Sequence, residues 1–422
     1  MAPVMAMNVE SDLDPCRAKR DGGAGSRWRG LCVALSLVAV NLVFGQPALS
    51  AAASAVPGLF YTNFHSADPL WSIHVVRIDR TIPGVEIHSV HAGNHVLGMA
   101  TLTAQIERFD RARGTPVAAV NGDFYQRDRD YAGDPRGLQI VEGGLLHSPS
   151  GGASVWIDAA GQPQTGTVAS RFQILWPDGK ATAFGLNGPR AAGGVELYTA
   201  ALGASTRTAG GRELILELPE GGAWPPLRIG VTNTVRVRAV RAAGDTPLTP
   251  DTVVLSVGPG AISAVPPVAA GAVLRISTAT TPDLRGAQTA ISGGPVLMHR
   301  GWRQRITQPA GESYEFSSML ERHPRTAIGW NREYYFLVEV DGRQKNLSVG
   351  MTLNELSKFL AKLGCEEAMN LDGGGSATLW CEGAVRNHPC DGGERGIANA
   401  LIVTCQQPAT AATSGAGVGL NN

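Results

Sequence analysis

Residues 352–376 read TLNELSKFLAKLGCEEAMNLDGGGS. Thr352 and Glu355 have the spacing of a capping box, Leu353, Leu356, Phe359, Leu360 and Leu363 recur at helical intervals, and Gly364 is placed to stop the helix. The short strand EEAMNLD follows and runs straight into three glycines. The same grammar stands at 101–125, TLTAQIERFDRARGTPVAAVNGDFY: Leu102, Ile106 and Phe109 share a helical face, Gly114 ends it, and PVAAV leads to NGDFY. Twice, then, the chain builds helix, glycine stop and apolar strand, and ends the strand on an Asn with an Asp two residues on: Asn121 with Asp123, Asn370 with Asp372. Polar groups at strand ends are where a rigid scaffold holds its chemistry.

Outward from these units the pattern is strand-rich. WSIHVVRIDR and VEIHSV alternate around the Pro83-Gly84 turn, and residues 150–290 are rich in Gly, Pro, Thr and Val, with SVWID, RFQILW, ELILELP, TVRVRAV and AVLRIS as strands. TAISGGPVLMHRG reads as strand, turn, strand, and YYFLVEVDGR as a further strand. The expected class is α+β: mixed β-rich sheets with a few packed helices. His88, His91 and His95 have helical ligand spacing, but they straddle a strand end and a Gly93-Asn94 turn, so they read as surface histidines.

The 36 Lys and Arg balance the 36 Asp and Glu, and no basic run occurs, so the footprint of a nucleic-acid or anionic-membrane binder is missing. Residues 1–55 carry Arg17, Lys19, Arg20, Arg27 and Arg29, then the apolar run from Leu31 to Phe44, then ALSAAASA. That order is a secretory signal segment, with cleavage expected near Ala53 or Ala55 and no integral membrane segment after cleavage; an uncleaved N-terminal anchor is the alternative. The functional domain is expected over 56–405, followed by a disordered tail, 406–422, that lacks large side chains except Leu420.

Cys16 and Cys32 would leave with the signal, so Cys365, Cys381, Cys390 and Cys405 remain. An even number in an exported chain reads as disulfides, in any of three pairings, with Cys381–Cys390 and Cys365–Cys405 preferred. The cysteines show no zinc-ligand spacing.

The ordered set NGDFY (121–125), LNGPRAAGGVELYT (186–199), ISGGPVLMHRG (291–301), HPRTAIGW (323–330), VDGR (340–343), GMTLNELSKFLAKLG (350–364), AMNLDGGGSATLW (368–380) and ERGIANALIV (394–403) resembles the phosphodiester glycosidase family over roughly Leu59 to Thr404. Its NGDF carries Asp where members often have Gly. The resemblance implies a single domain of that type, a sugar-phosphate or phosphoglycan substrate, and hydrolysis at the anomeric carbon. It further implies an N-acetylglucosamine-like sugar on envelope or exopolysaccharide material.

Such a substrate asks for a cation or an amide nest at the phosphate and a carboxylate near the sugar carbon. Arg325 is the expected clamp, because a guanidinium holds two phosphate oxygens at once. Gly293, Gly294, Gly373, Gly374 and Gly375 are expected to add backbone N–H groups. Asp372 is the expected base or nucleophile, with Asp123 as the first candidate for a second carboxylate, ahead of Asp341 and Glu394. Asn121, Asn370 and Ser376 would hold sugar hydroxyls or phosphate, and Tyr125, Trp330 and Trp380 offer rings for stacking or for the core. Each also has a plain structural use: Asp372 can cap the glycine turn, Arg325 can pair a carboxylate, and Asn370 can close a strand end. No cofactor is expected and no metal-ligand spacing is visible, though a divalent ion bridging phosphate and carboxylates is chemically compatible. A phosphodiesterase cleaving P–O, which would show a His/Asp metal cluster, and a non-catalytic glycan-phosphate binder are the rival readings.

Overall fold

Strand alternation sorts side chains into two sets in the sheet that carries the site. In Leu70–Asp79, Ile73 and Val75 join one apolar cluster while Val76 and Ile78 join another, as a period of two requires. The computed structural model describes residues 54, 56–93, 96–127, 129–306 and 319–406. Within them a seven-stranded antiparallel sheet runs in the order Leu59–Ala67, Leu70–Asp79, Tyr334–Val340, Arg325–Trp330, Glu367–Asn370, Val296–His299, Trp302–Arg303.

One face of this sheet buries Val338, Ala327 and Ala368 against Leu353, Leu356 and Leu360 of the helix Leu353–Lys362, here α2. The other face packs Ile328, Leu337 and Met369 on Val117, Ala118, Val120 and Leu401 of a five-stranded sheet built from Ala384–Val385, Leu379–Cys381, Thr115–Asn121, Asn399–Cys405 and Val85–His91. That second sheet is backed in turn by the helix Leu102–Glu107, here α1, through Leu102 and Ile106. The order of layers is helix, sheet, sheet, helix, and each helix–strand unit of the sequence supplies one helix and one strand of the sheet it covers. Leucine-sized side chains buried in this way contribute about 1.5–3 kcal/mol each.

The middle of the chain forms an eight-stranded sheet, and a second five-stranded sheet, containing Thr289–Gly293 and Ala153–Ile157, shares a core with it through Trp156, Ala290 and Phe172. All five strands named for the middle segment are present: Ala153–Ile157, Ala169–Leu175, Arg212–Glu217, Thr232–Arg241 and Val273–Thr281. The β-rich class with few helices holds. The capping box of α2 forms as spaced, with Glu355 N–H donating to Thr352 Oγ1 at 3.2 Å and Thr352 N–H donating to Glu355 Oε2 at 2.9 Å, and Gly364 takes φ +83° after it.

Two expectations are corrected. Cys365, Cys381, Cys390 and Cys405 are free thiols. Cys365 packs on the helix side of the seven-stranded sheet and Cys405 on its other side, so a sheet stands between the expected partners. His88 is buried, with Nε2 2.9 Å from Thr404 Oγ1 and Nδ1 3.0 Å from Arg113 Nη2, because its strand lies at a sheet face that is covered; burial, and then Arg113, lowers it to about 4. His95, the signal segment and the tail fall outside the described residues. Among the described residues no helix is long and apolar enough to cross a membrane.

Candidate active site

The strands Thr115–Asn121 and Glu367–Asn370 belong to the two facing sheets, and both end at one place. The Asp372 N–H donates to Gly122 O at 2.9 Å, and Asn121 Nδ2 donates to Asp372 O at 2.7 Å. Asn121 Oδ1 accepts from Thr326 Oγ1 at 2.7 Å and from the Thr378 N–H at 3.1 Å. Asn121 is therefore a clamp that ties three segments together, and its amide is committed to the protein. That replaces the expected contact with a sugar hydroxyl. Asn370 Nδ2 is likewise spent on Gly294 O at 2.8 Å, while its buried Oδ1 has no partner within the protein.

The clamp brings Asp123 and Asp372 together. Asp123 is 3 % exposed, its N–H is held by Asn399 Oδ1 at 2.8 Å, and its Oδ2 is buried without a partner. Burial pushes its carboxyl up to about 7; nearby backbone N–H groups and His147 oppose this, and the charge of Asp372 adds to it. Asp372 is raised by burial to about 6, restrained by the Ser376 hydroxyl, by the Gly373 N–H at 2.8 Å, and by Arg395 and Arg127. The two carboxyls feel each other's charge, and the deeper one holds its proton more tightly. Tyr125 lies beside them with its hydroxyl donating to Gly396 O at 2.7 Å, and the Asp372 charge, after burial, raises it. Asp341 and Glu394 are used elsewhere: Asp341 pairs with His74 and Glu394 accepts from the Thr103 N–H at 3.0 Å. Trp330 is core, 4 % exposed, and Trp380 packs beside the α1 cluster.

The triple glycine has a different use from the expected amide nest. The Gly374 N–H donates to Pro324 O at 3.0 Å and the Gly373 N–H to Asp372 Oδ1, so both are taken; the Gly294 N–H likewise goes to Asn370 O at 2.7 Å. What the glycines allow is close approach of cations. A Cβ on Gly374, which has φ +61°, would stand 3.1 Å from Arg343 Nη1, and one on Gly375 would collide with Arg395 and Asp391. Gly293 is equally crowded, with Asn370 O 2.6 Å from the place of its Cβ.

Arg325 is 5 % exposed, and its Nε and Nη2 each donate at 2.8 Å, to Met351 O and Glu321 O. Two arms of the expected clamp are thus committed to carbonyls; burial, and then Arg343, lower its affinity for its proton to about 10. Exposed Arg127 and partly exposed Arg395, which pairs with Asp391 at 2.5 Å, act on Asp372, and exposed Arg343 lies against Gly374 of the same turn. Arg343 stands in VDGR, and Arg395 and Asn399 in ERGIANALIV, so the sequence marked their segments without singling out the side chains; Arg127 lies outside the marked stretches.

Residues 229–404 match the model of the phosphodiester glycosidase family. An 86-residue stretch, 20 % of this chain, is 37 % identical to the Bos taurus N-acetylglucosamine-1-phosphodiester alpha-N-acetylglucosaminidase, of whose length the match spans only 16 %. The fold is similar to that of a hypothetical protein from Synechocystis (TM-score 0.66, 20 % identity, 83 % of this chain and 62 % of that one). It is also similar to that of an exported-protein candidate from Burkholderia pseudomallei (TM-score 0.62, 24 % identity, 81 % of this chain and 74 % of that one).

Proposed function

We propose that this chain, a member of the phosphodiester glycosidase family through residues 229–404, is an exported hydrolase that splits the C1–O bond of a sugar-1-phosphodiester. The sugar is N-acetylglucosamine-like and the aglycone belongs to envelope or exopolysaccharide phosphoglycan. The pairing of Asp123 with Asp372 carries the reading, since two carboxyls that differ in proton affinity can divide acid and base roles. Asp372, the more acidic and more accessible, acts on the anomeric carbon as nucleophile or as the base for water. Asp123 keeps its proton for the departing phosphate oxygen, which needs little help because a phosphodiester leaves as a stable anion. Arg343, Arg395 and Arg127 hold the phosphate, and Arg325 fixes the segment beneath them. Export rests on the order of charges and apolar residues in 1–55.

Attack at phosphorus is the second reading, favoured by one observation: the fold assembles His74, Asp341 and His388 within 4.8 Å, a His/Asp cluster that the sequence spacing hid. Hydrolysis of a sugar-phosphate diester in oxygen-18 water separates the two. Label in the anomeric hydroxyl of the released sugar supports cleavage at carbon; label in the phosphate overturns it. Absence of turnover on every sugar-phosphate diester tried would leave a binding protein.

A further inference from the structure

We propose that His74, Asp341 and His388 bind a single divalent transition-metal ion of the zinc class, at a site separate from the carboxylate pair. Occupancy of this site is measured directly, whichever bond the protein cleaves.

His74 lies on one strand of the seven-stranded sheet, Asp341 in the turn that follows the neighbouring strand, and His388 in the loop that follows the strand Ala384–Val385. His74 Nε2 lies 2.9 Å and His388 Nδ1 3.6 Å from the same oxygen, Asp341 Oδ2, and all three atoms fall within 4.8 Å of one another. Ligands held tetrahedrally at zinc distances of ~2.0–2.2 Å stand roughly 3.3–3.6 Å apart, so the measured edges bracket what an ion needs. Nδ1 of His74 is 2.7 Å from the Tyr61 hydroxyl. With its proton on Nδ1, bonded to Tyr61, the ring turns the Nε2 lone pair to the metal, the outer-shell arrangement usual for ligating histidines. His388 is 64 % exposed at its side chain, which provides the entry path and leaves room for an exchangeable fourth ligand.

A second observation points to a cation. Glu339 sits directly opposite His74 in the strand ladder and two residues before Asp341, so all three side chains share a face. Its side chain is fully buried, and neither carboxyl oxygen has a hydrogen-bond partner. An unpartnered carboxyl beside a carboxylate is costly in a low-dielectric interior. A dication held by the neighbouring Asp341 and His74 would lower that cost. The ion would also pin the turn 341–343, and with it Arg343, against Gly374.

The test is titration of chelator-treated protein with Zn2+ by calorimetry and with Co2+ by visible absorption. A single high-affinity site with a Co2+ ligand-field spectrum is expected. His388→Ala, at an exposed position that the fold does not need, should weaken binding by more than the roughly 10–100-fold typical of losing an outer partner, and Tyr61→Phe should fall within that range. Cys390→Ser should leave binding unchanged. No spectrum and no heat in the folded protein, binding indifferent to His388→Ala, or binding lost in Cys390→Ser would each overturn the assignment.

Discussion

Asp123 and Asp372 differ in their access to water, and the roles proposed for them rest on that difference. Asp372 is partly exposed and raised only to about 6, whereas Asp123 is 3 % exposed and raised to about 7. In the proposed reaction Asp372 works ionised and is assisted by a protonated Asp123, so the rate should climb as pH rises through about 6 and decline, more shallowly, as it rises through about 7. The two groups titrate as a coupled pair, and the profile reports both limbs together. A pH profile of kcat/KM that stays flat across this window would remove the assignment. Asp372→Asn should cut kcat by at least about 10²–10⁴-fold with substrate binding largely kept. Asp123→Asn should be milder and should lose the alkaline limb, because a phosphate leaving group tolerates a missing acid. Near-normal turnover in Asp372→Asn would show that the base or nucleophile lies elsewhere.

At the scale of elements, the glycine turn and α2 act as one unit. The capping box fixes where α2 begins, and α2 covers the face of the seven-stranded sheet whose strand Glu367–Asn370 delivers Asp372. Thr352→Ala removes the side-chain acceptor of the Glu355 N–H and should lower stability by about 1 kcal/mol, read from denaturant midpoints at unchanged slope. Gly375→Ala is expected to do something different. Its Cβ would meet Arg395 and Asp391 and push that ion pair off the turn, so KM for the phosphodiester should rise while thermal stability changes less. A pure loss of stability with KM unaltered would mean that Arg395 does not hold substrate.

Across the whole molecule the thiols report the layering. Burial pushes Cys365 and Cys381 up to about 12, while Cys390 and Cys405 are partly exposed and raised less. Labelling of unreduced native protein should reach Cys390 and Cys405 first, and Cys365 and Cys381 only after denaturation, because the thiolate is the reactive form. Fewer than the four cysteines labelled in denaturant would show disulfides that the packing does not contain.

The sequence by itself determined the elements and the segments that meet at the candidate site. Capping spacing, strand alternation and glycine stops are local codes, set by backbone sterics and by periods of 2 and 3.6 residues, and they placed α2, the middle strands and the paired Asn-x-Asp ends correctly. What only the tertiary structure decided is how the polar groups are used. Asn121 became a clamp because Asp372, Thr326 and Thr378 converge on it from 205 to 257 residues away. The amides of Gly373 and Gly374 were taken by Asp372 and Pro324, and Arg343 filled the space they left. His74 and Asp341 met across 267 residues of chain, and His388 joined them. Cys365 and Cys405 were parted by a sheet. Hydrogen bonds and charges act through distances of a few ångströms in a medium of low dielectric, and such distances are fixed by sheet register and layer packing, which no spacing along the chain encodes.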